Sequence, residues 1–317
     1  DREDELEGDH DAGHVAHRRH RLDERDQDDL HPLVAREQPQ RPQHAHQPER
    51  TLEPNRRLCS HPSGEMKRAL HHVSAAHRLM SQAEALRFIK LGVAREQLQV
   101  TGSIKFDFRA DPALLQQAAD LRARWGERPV WIAASTHAGE DEQVLRAHQA
   151  VLQGLPDALL ILVPRHPERF DAVARQVQDA GLAAVRRSSG QLPAADKQVL
   201  VGDTMGELVM LYACADVAFV GGSLVPNGGH NYLEPAALGL PVLSGPHRFN
   251  FTEISELLEG AGALQVVSDE RALALAVQAL LGDEAARERA GAAGRAVVQD
   301  NQGALERLLA GIARLLG

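Results

Sequence analysis

From residue 73 onward, short runs of consecutive apolar residues alternate with longer stretches in which apolar positions recur every three or four residues. The short runs predict strands at 98–101, 130–134, 158–163, 183–185, 198–201, 217–220, 241–244 and 263–267. The longer stretches predict helices at 112–125, 140–155, 169–180, 205–213, 232–237, 253–259 and 268–281. Two closing helices, 284–298 and 302–316, carry a small-residue and Leu-rich face suited to packing back across the fold. Strands alternating with helices make repeated βα units, so the expected class is α/β with a parallel sheet and helices on both faces. In such sheets ligands bind beyond the carboxyl ends of the strands.

Residues 1–65 break this pattern. They contain no Phe, Trp, Tyr, Ile or Lys and are crowded with Asp, Arg, His, Gln and Pro. A segment of that kind buries too little apolar surface to offset the entropy of ordering its backbone, so disorder or weak helicity is expected. A second reading is an out-of-frame translation, because Arg without Lys and acids without aromatics is what a shifted reading of GC-rich codons gives. His10, His14, His17 and His20 lack a second cluster at ligand spacing, so no metal site is expected there. The full chain of 317 residues has a net charge of −9, without the basic surplus of a nucleic-acid binder. Cys59 and Cys214 have neither CxxC nor metal spacing and suggest a reducing compartment. No run of eighteen apolar residues and no signal-peptide order is present, so the chain as given is expected neither to span a membrane nor to carry an export signal.

Three loops after predicted strands hold the candidate chemistry. Residues 134–141 (Ala-Ser-Thr-His-Ala-Gly-Glu-Asp) read either as a ligand loop or as a helix start, with Ser135 or Thr136 as cap and Glu140 and Asp141 complementing the helix dipole. Residues 163–170 (Val-Pro-Arg-His-Pro-Glu-Arg-Phe) place two arginines at a strand end, where guanidinium pairs bidentately with phosphate or carboxylate. The alternative there is a solvated loop salt-bridged to Glu168; the rigid Pro-Arg-His-Pro favours a site. In the third, Gly221 and Gly222 let the backbone approach a ligand, and Gly228 and Gly229 repeat the device before a helix whose free N–H groups suit a phosphate. Glu234, one turn inside that helix, suits the two hydroxyls of a ribose.

Five motifs then appear in a familiar order: Thr-Gly-Ser-Ile-Lys-Phe-Asp (101–107), Ala-Ser-Thr-His-Ala-Gly-Glu-Asp-Glu (134–142), Pro-Arg-His-Pro-Glu-Arg-Phe (164–170), Gly-Asp-Thr-Met-Gly-Glu-Leu (202–208) and Gly-Gly-Ser-Leu-Val-Pro-Asn-Gly-Gly-His-Asn-Tyr-Leu-Glu-Pro-Ala (221–236). With them the chain resembles the Kdo transferases, which move 3-deoxy-D-manno-octulosonic acid from CMP-Kdo to the lipid A precursor in lipopolysaccharide assembly. The resemblance implies GT-B architecture, two Rossmann-like domains facing across a cleft with the donor held by the C-terminal one. It divides the chain into 1–65, the unmatched segment; 66–100, a remnant of the N-terminal acceptor domain; 101–300, the CMP-sugar-binding domain; and 301–317, a C-terminal helix. The acceptor-domain remnant rests on residues 72–88, where Ser81 to Glu84 resembles the end of that domain. The rest of the acceptor domain is expected to be missing, with its membrane-anchoring segment and its Glu general base, so the base is unassigned and activity of this chain is expected to be impaired.

Carried over residue by residue, the resemblance sets CMP against Pro164 and Arg165, against Met205, Gly206 and Glu207, and against Asn231, Tyr232, Leu233 and Glu234. Arg165 would neutralise the phosphate or the Kdo carboxylate, the 205–207 turn would meet the cytosine with backbone groups, and Glu234 would take the ribose. Lys105 would stabilise the departing charge, its alternative being a surface lysine of the linker. His137 and His230 are further candidates for donor oxygens. The implied reaction inverts the sugar centre and expels a phosphate diester monoanion, so neither metal nor cofactor is expected. Implied partners are CMP-Kdo, the lipid A precursor (lipid IVA) and the membrane surface at the cytoplasmic face of the inner membrane, with no nucleic acid. Two other readings are a CMP- or CMP-Kdo-binding module without activity and, last, another GT-B protein such as a UDP-sugar epimerase.

Overall fold

The computed structural model describes residues 77–79 and 81–316. The expectations for 1–65, for its His tract, for Cys59 and for the opening of 66–100 lie outside the described residues. Seven strands, β3 (Val130–Thr136), β4 (Leu159–Pro164), β5 (Ala184–Arg186), β6 (Val199–Val201), β7 (Val217–Val220), β8 (Val242–Ser244) and β9 (Leu264–Val266), form one parallel sheet in the order β5-β6-β4-β3-β7-β8-β9. Every residue of β3, β4, β6, β7 and β8 is buried, which is why these strands read as unbroken apolar runs.

Alternation along β3 sends Trp131 and Ala133 to one face and Val130, Ile132 and Ala134 to the other. The first face packs against α3 (Asp141–Gly154), α4 (Phe170–Asp179) and α8 (Glu270–Gly282) through Val144, Val151, Val173, Leu273 and Val277. The second packs against α2 (Pro112–Ala123) and α5 (Leu208–Ala213) through Ala118, Leu211 and Tyr212. A third cluster joins β8 and β9 to α6 (Leu233–Leu238), α7 (Thr252–Gly260) and α9 (Glu284–Asp300). Helices on both faces are thus as the apolar pattern requires. Among the described residues, no helix is long and apolar enough to cross a membrane.

The first predicted strand departs from expectation. Residues Leu98–Val100 form β2, which pairs in parallel with β1 (His77–Leu79) in a separate two-stranded sheet. Its residues are only half-buried. Between the two strands runs α1 (Gln82–Lys90), a helix the periodicity did not mark. A capping box starts it: the Glu84 N–H donates to Ser81 Oγ at 3.2 Å and the Ser81 N–H to Glu84 Oε2 at 3.3 Å. The chain closes with α10 (Ala304–Leu316), whose start is held by Asp107, which accepts from the Leu305 N–H at 2.7 Å.

Two features of the core combine tight packing with a measurable sensitivity. In the first, the fully buried Trp131 donates its indole N–H to His148 Nδ1 at 3.1 Å, and His148 Nε2 lies 2.9 Å from the Gln198 carbonyl. That network assigns a neutral imidazole with its proton on Nε2. A second proton would face the indole N–H, and burial pushes the His148 pKa down to about 4. The unfolded chain takes up a proton below about 6.5, so stability is full above that value and falls as pH drops from 6.5 towards 4, by about 2 to 3 kcal/mol. Urea titrations across this window should show the fall in the parent and a smaller one in His148→Gln; a flat profile in the parent would disprove it. The second feature is the close seat of α9 on α6, where a Cβ on Gly291 would lie 1.9 Å from the Gly239 carbonyl oxygen.

Candidate functional site

From β3 the chain proceeds outward through β4 and the β5–β6 edge, then returns to the other side of β3 as β7. The carboxyl ends of β3 and β7 therefore flank the topological switch point, the place where open α/β sheets form their crevice. The sheet being parallel, the loops after β3, β4, β6 and β7 lie along the same carboxyl edge.

A carboxylate that sequence reasoning had no means to single out organises the crevice. Glu140 is fully buried and accepts four backbone N–H groups: those of His137 (3.2 Å) and Gly222 (2.7 Å) on Oε2, and those of Ser223 (3.0 Å) and Leu224 (2.9 Å) on Oε1. Burial pushes its carboxyl above the usual range while these donors pull the other way. Four donors and no facing acceptor fix it as the ionised form. Glu140 thus ties the loop after β3 to the loop after β7. The close approach at Gly221 has a partner within the protein: a Cβ there would lie 2.7 Å from Glu140 Oε2 and 2.8 Å from the Ser135 carbonyl. The close approach serves the protein's own carboxylate.

The helix-cap reading of 134–141 is corrected. Ser135, the last but one residue of β3, takes the left-handed region at φ 58° where the β3–β4 register shifts, and no side chain caps α3. Thr136 donates its hydroxyl to Asp141 Oδ1 at 2.7 Å, and Asp141 is paired with Arg169, which also donates to the Thr136 carbonyl at 2.8 Å. Of the two arginines of the β4 loop, Arg169 therefore braces the site from within, with Asp141 rather than Glu168 as its partner. Arg165 stands exposed at the strand end beside His166, following the buried Pro164.

Around Arg165 lies a group of histidines from three strand ends. His137 and His230 share a hydrogen bond, Nε2 to Nε2 at 2.7 Å, with their rings parallel to within 2°. His166 meets His137 edge-on at a centroid distance of 5.4 Å. Burial lowers both pKa values of the pair, His230 to about 4, and the positive charge of Arg165 lowers them further.

The loops after β6 and β7 supply the rest. Met205 is 67% exposed at the tip of the turn leading into α5, and Gly206 takes φ 82° there. The Glu207 carboxylate holds the turn, accepting from Thr204 Oγ1 and from Arg187 Nη2, the latter at 2.8 Å. Asp203, buried, binds Arg186 Nε at 2.6 Å and the Ser188 N–H at 2.8 Å, fixing the strand end beneath. Asn231 accepts from the Leu233 N–H at 3.1 Å and donates to Glu234 Oε1 at 3.0 Å, so it orients that carboxylate. Glu234 is half-buried; burial pushes its carboxyl up and the Asn231 amide pulls it back. Tyr232 and Leu233 are wholly buried, the tyrosine hydroxyl 2.8 Å from Ser244 Oγ.

Lys105 sits elsewhere. It lies in the 3-10 turn Ile104–Asp107, exposed, with Nζ 4.7 Å from the centre of the Phe251 ring. It lines a cleft of about 1080 Å³ with Ser103, Phe249, Phe251 and Arg307. Phe251 packs edge-on against Tyr232 at 5.8 Å, so two rings link the lysine to the start of α6.

No family model matches the chain. It is 50% identical over 225 residues to the 3-deoxy-D-manno-octulosonic acid transferase of Haemophilus influenzae, a match covering 70% of this chain and 53% of that protein. It is 44% identical over 223 residues to the Bordetella pertussis transferase of the same name, covering 69% and 52%. The chain thus spans about half the length of the curated relatives it matches. Among solved structures, the C-terminal CMP-Kdo binding domain of WaaA from Acinetobacter baumannii superposes with a TM-score of 0.58 at 41% identity, over 60% of this chain and all of that one. A seven-stranded parallel sheet with both faces covered by helices, and polar loops gathered at its switch point, defines the Rossmann-like domain of a GT-B glycosyltransferase. The chain belongs to the Kdo transferase family.

Proposed function

We propose that residues 101–300 bind CMP-Kdo, and that in the complete enzyme this domain presents Kdo to the lipid A precursor at the cytoplasmic face of the inner membrane. In this reading 66–100 closes the acceptor domain and 301–317 is the helix that follows the donor domain. The observation that carries it is the convergence at one switch point of an exposed arginine, a histidine pair and an amide-oriented carboxylate. The likeness to a domain described as CMP-Kdo binding supports the same ligand.

Arg165, beside Pro164, takes the phosphate or the sugar carboxylate, where a guanidinium forms paired charged hydrogen bonds. The exposed turn of Met205, Gly206 and Glu207 offers its backbone to the cytosine, since the Glu207 side chain already holds that turn. Glu234, aligned by Asn231, accepts from the ribose hydroxyls, with the backbone of Tyr232 and Leu233 beside it. CMP departs as a phosphate diester monoanion, whose single charge fixed cations stabilise. Lys105 is assigned to that charge when the cleft it lines closes; the base that deprotonates the acceptor is not among these residues.

Calorimetric titration with CMP tests the site. Arg165→Ala and Glu234→Ala should each weaken binding by about 1.5 to 3 kcal/mol, the loss typical of a charged hydrogen bond. Unchanged affinity in both would refute the placement. A transfer assay with CMP-Kdo and the lipid A precursor separates the two functions: transfer supports the enzyme, whereas binding without transfer supports a module that only holds the donor.

A further inference from the structure

We infer that the His137–His230 pair is a proton-coupled anion receptor, gaining one proton as the negatively charged group of the donor arrives; this rests on the donor-site reading above. Two nitrogen lone pairs do not face each other at 2.7 Å, so one hydrogen lies between the Nε2 atoms. In a pair of neutral rings that arrangement leaves one N–H and one lone pair on the two remaining ring nitrogens. One further proton turns the pair into an imidazole–imidazolium couple with two outer donors and a full positive charge.

The surroundings withhold that proton until an anion is present. Arg165 from the β4 loop opposes added charge on both rings, and Arg169 opposes it on His137. The nearby acids are already engaged. Asp141 is held by Thr136 and Arg169, and Glu140 by its four backbone donors. Asp141 still favours charge on His137, but burial and the neighbouring arginines outweigh it, and burial holds His230 down to about 4. A phosphate diester or a sugar carboxylate brings the missing negative charge, and the proton comes from the buffer to the free ring nitrogen without any covalent bond being broken. The room for this pair is built in: a Cβ on Gly222 would fall 3.0 Å from the His230 ring and 3.4 Å from that of His137.

The test is calorimetry of the full chain with cytidine 5′-methylphosphate, a phosphodiester with no ionisation of its own near neutrality. Two buffers of different protonation enthalpy at one pH should give enthalpies that differ by an uptake of about 0.5 to 1 proton per ligand, and Kd should fall by up to about tenfold per pH unit as pH is lowered from about 8 to about 6. His137→Gln and His230→Gln should each abolish the buffer dependence. Equal enthalpies in the two buffers with binding intact would overturn the inference and leave the donor site standing. Buffer dependence that survives in both variants would overturn it as well, moving the proton to another group such as His166. Absence of binding in either buffer would instead sink the donor-site reading itself.

Discussion

Glu140→Gln should destabilise the protein almost as severely as Glu140→Ala, by about 3 to 5 kcal/mol, although glutamine has nearly the same shape. Each carboxylate oxygen accepts two backbone N–H groups, those of His137 and Gly222 on one side and those of Ser223 and Leu224 on the other. Whichever way the amide turns, its NH₂ meets two N–H donors head-on, inside a site with no exposure to water. Alanine leaves all four donors unpaired and opens a cavity besides. Urea unfolding measures the loss, and a glutamine variant within about 1 kcal/mol of the parent would show that the buried carboxylate is not the tie between the loops. Because both loops carry members of the histidine pair, CMP affinity should fall in whatever fraction of the variant stays folded.

Gly291→Ala should cost more than about 3 kcal/mol, a large penalty for a single methyl group, because the contact it violates is backbone against helix rather than side chain against side chain. The new carbon would sit 1.9 Å from the Gly239 carbonyl oxygen, and no rotamer change relieves it. Either α9 or α6 must move, and α6 carries Glu234, so ligand affinity should drop together with the thermal midpoint. Gly260→Ala is the control: nothing lies within 4 Å of its added carbon, and the change should be neutral or stabilising by up to about 1 kcal/mol. If Gly291→Ala unfolded at the same temperature as Gly260→Ala, the close seat of the two helices would be wrong.

The seven-stranded sheet was legible because its strands are buried on both faces and so carry their signal in consecutive residues, as Val130 to Ala134 do. Residues 98–101 gave a similar signal but join a different sheet, since a short apolar run records burial and says nothing of which neighbour covers it. The helix at Gln82–Lys90 escaped the periodicity and is marked mainly by its Ser81–Glu84 capping box. At the site, residue types and loop positions were readable, and the loops after β3, β4 and β7 are in contact through Glu140, the histidines and the Asp141–Arg169 pair. The division of labour within them was not. Arg165 and Arg169 look alike in the chain, and only the fold shows that one braces Asp141 while the other stands exposed. Glu140 reads as an ordinary acid at a helix start because three of its four partners lie 82 to 84 residues away. The pair Gly221–Gly222 marks a close approach in the chain, and at Gly221 the fold brings the Glu140 carboxylate against it.

The indole–imidazole bond inside the core has an optical consequence. All four ultraviolet chromophores that matter, Trp125, Trp131, Tyr212 and Tyr232, are the only tryptophans and tyrosines in the chain, and all are buried in the sheet domain. Absorbance and intrinsic emission therefore report on this domain alone, with no background from residues 1–65. Trp131 is an internal dye whose N–H rests on a titratable partner, so light by itself should follow the acid transition of the strand that leads into the histidine pair.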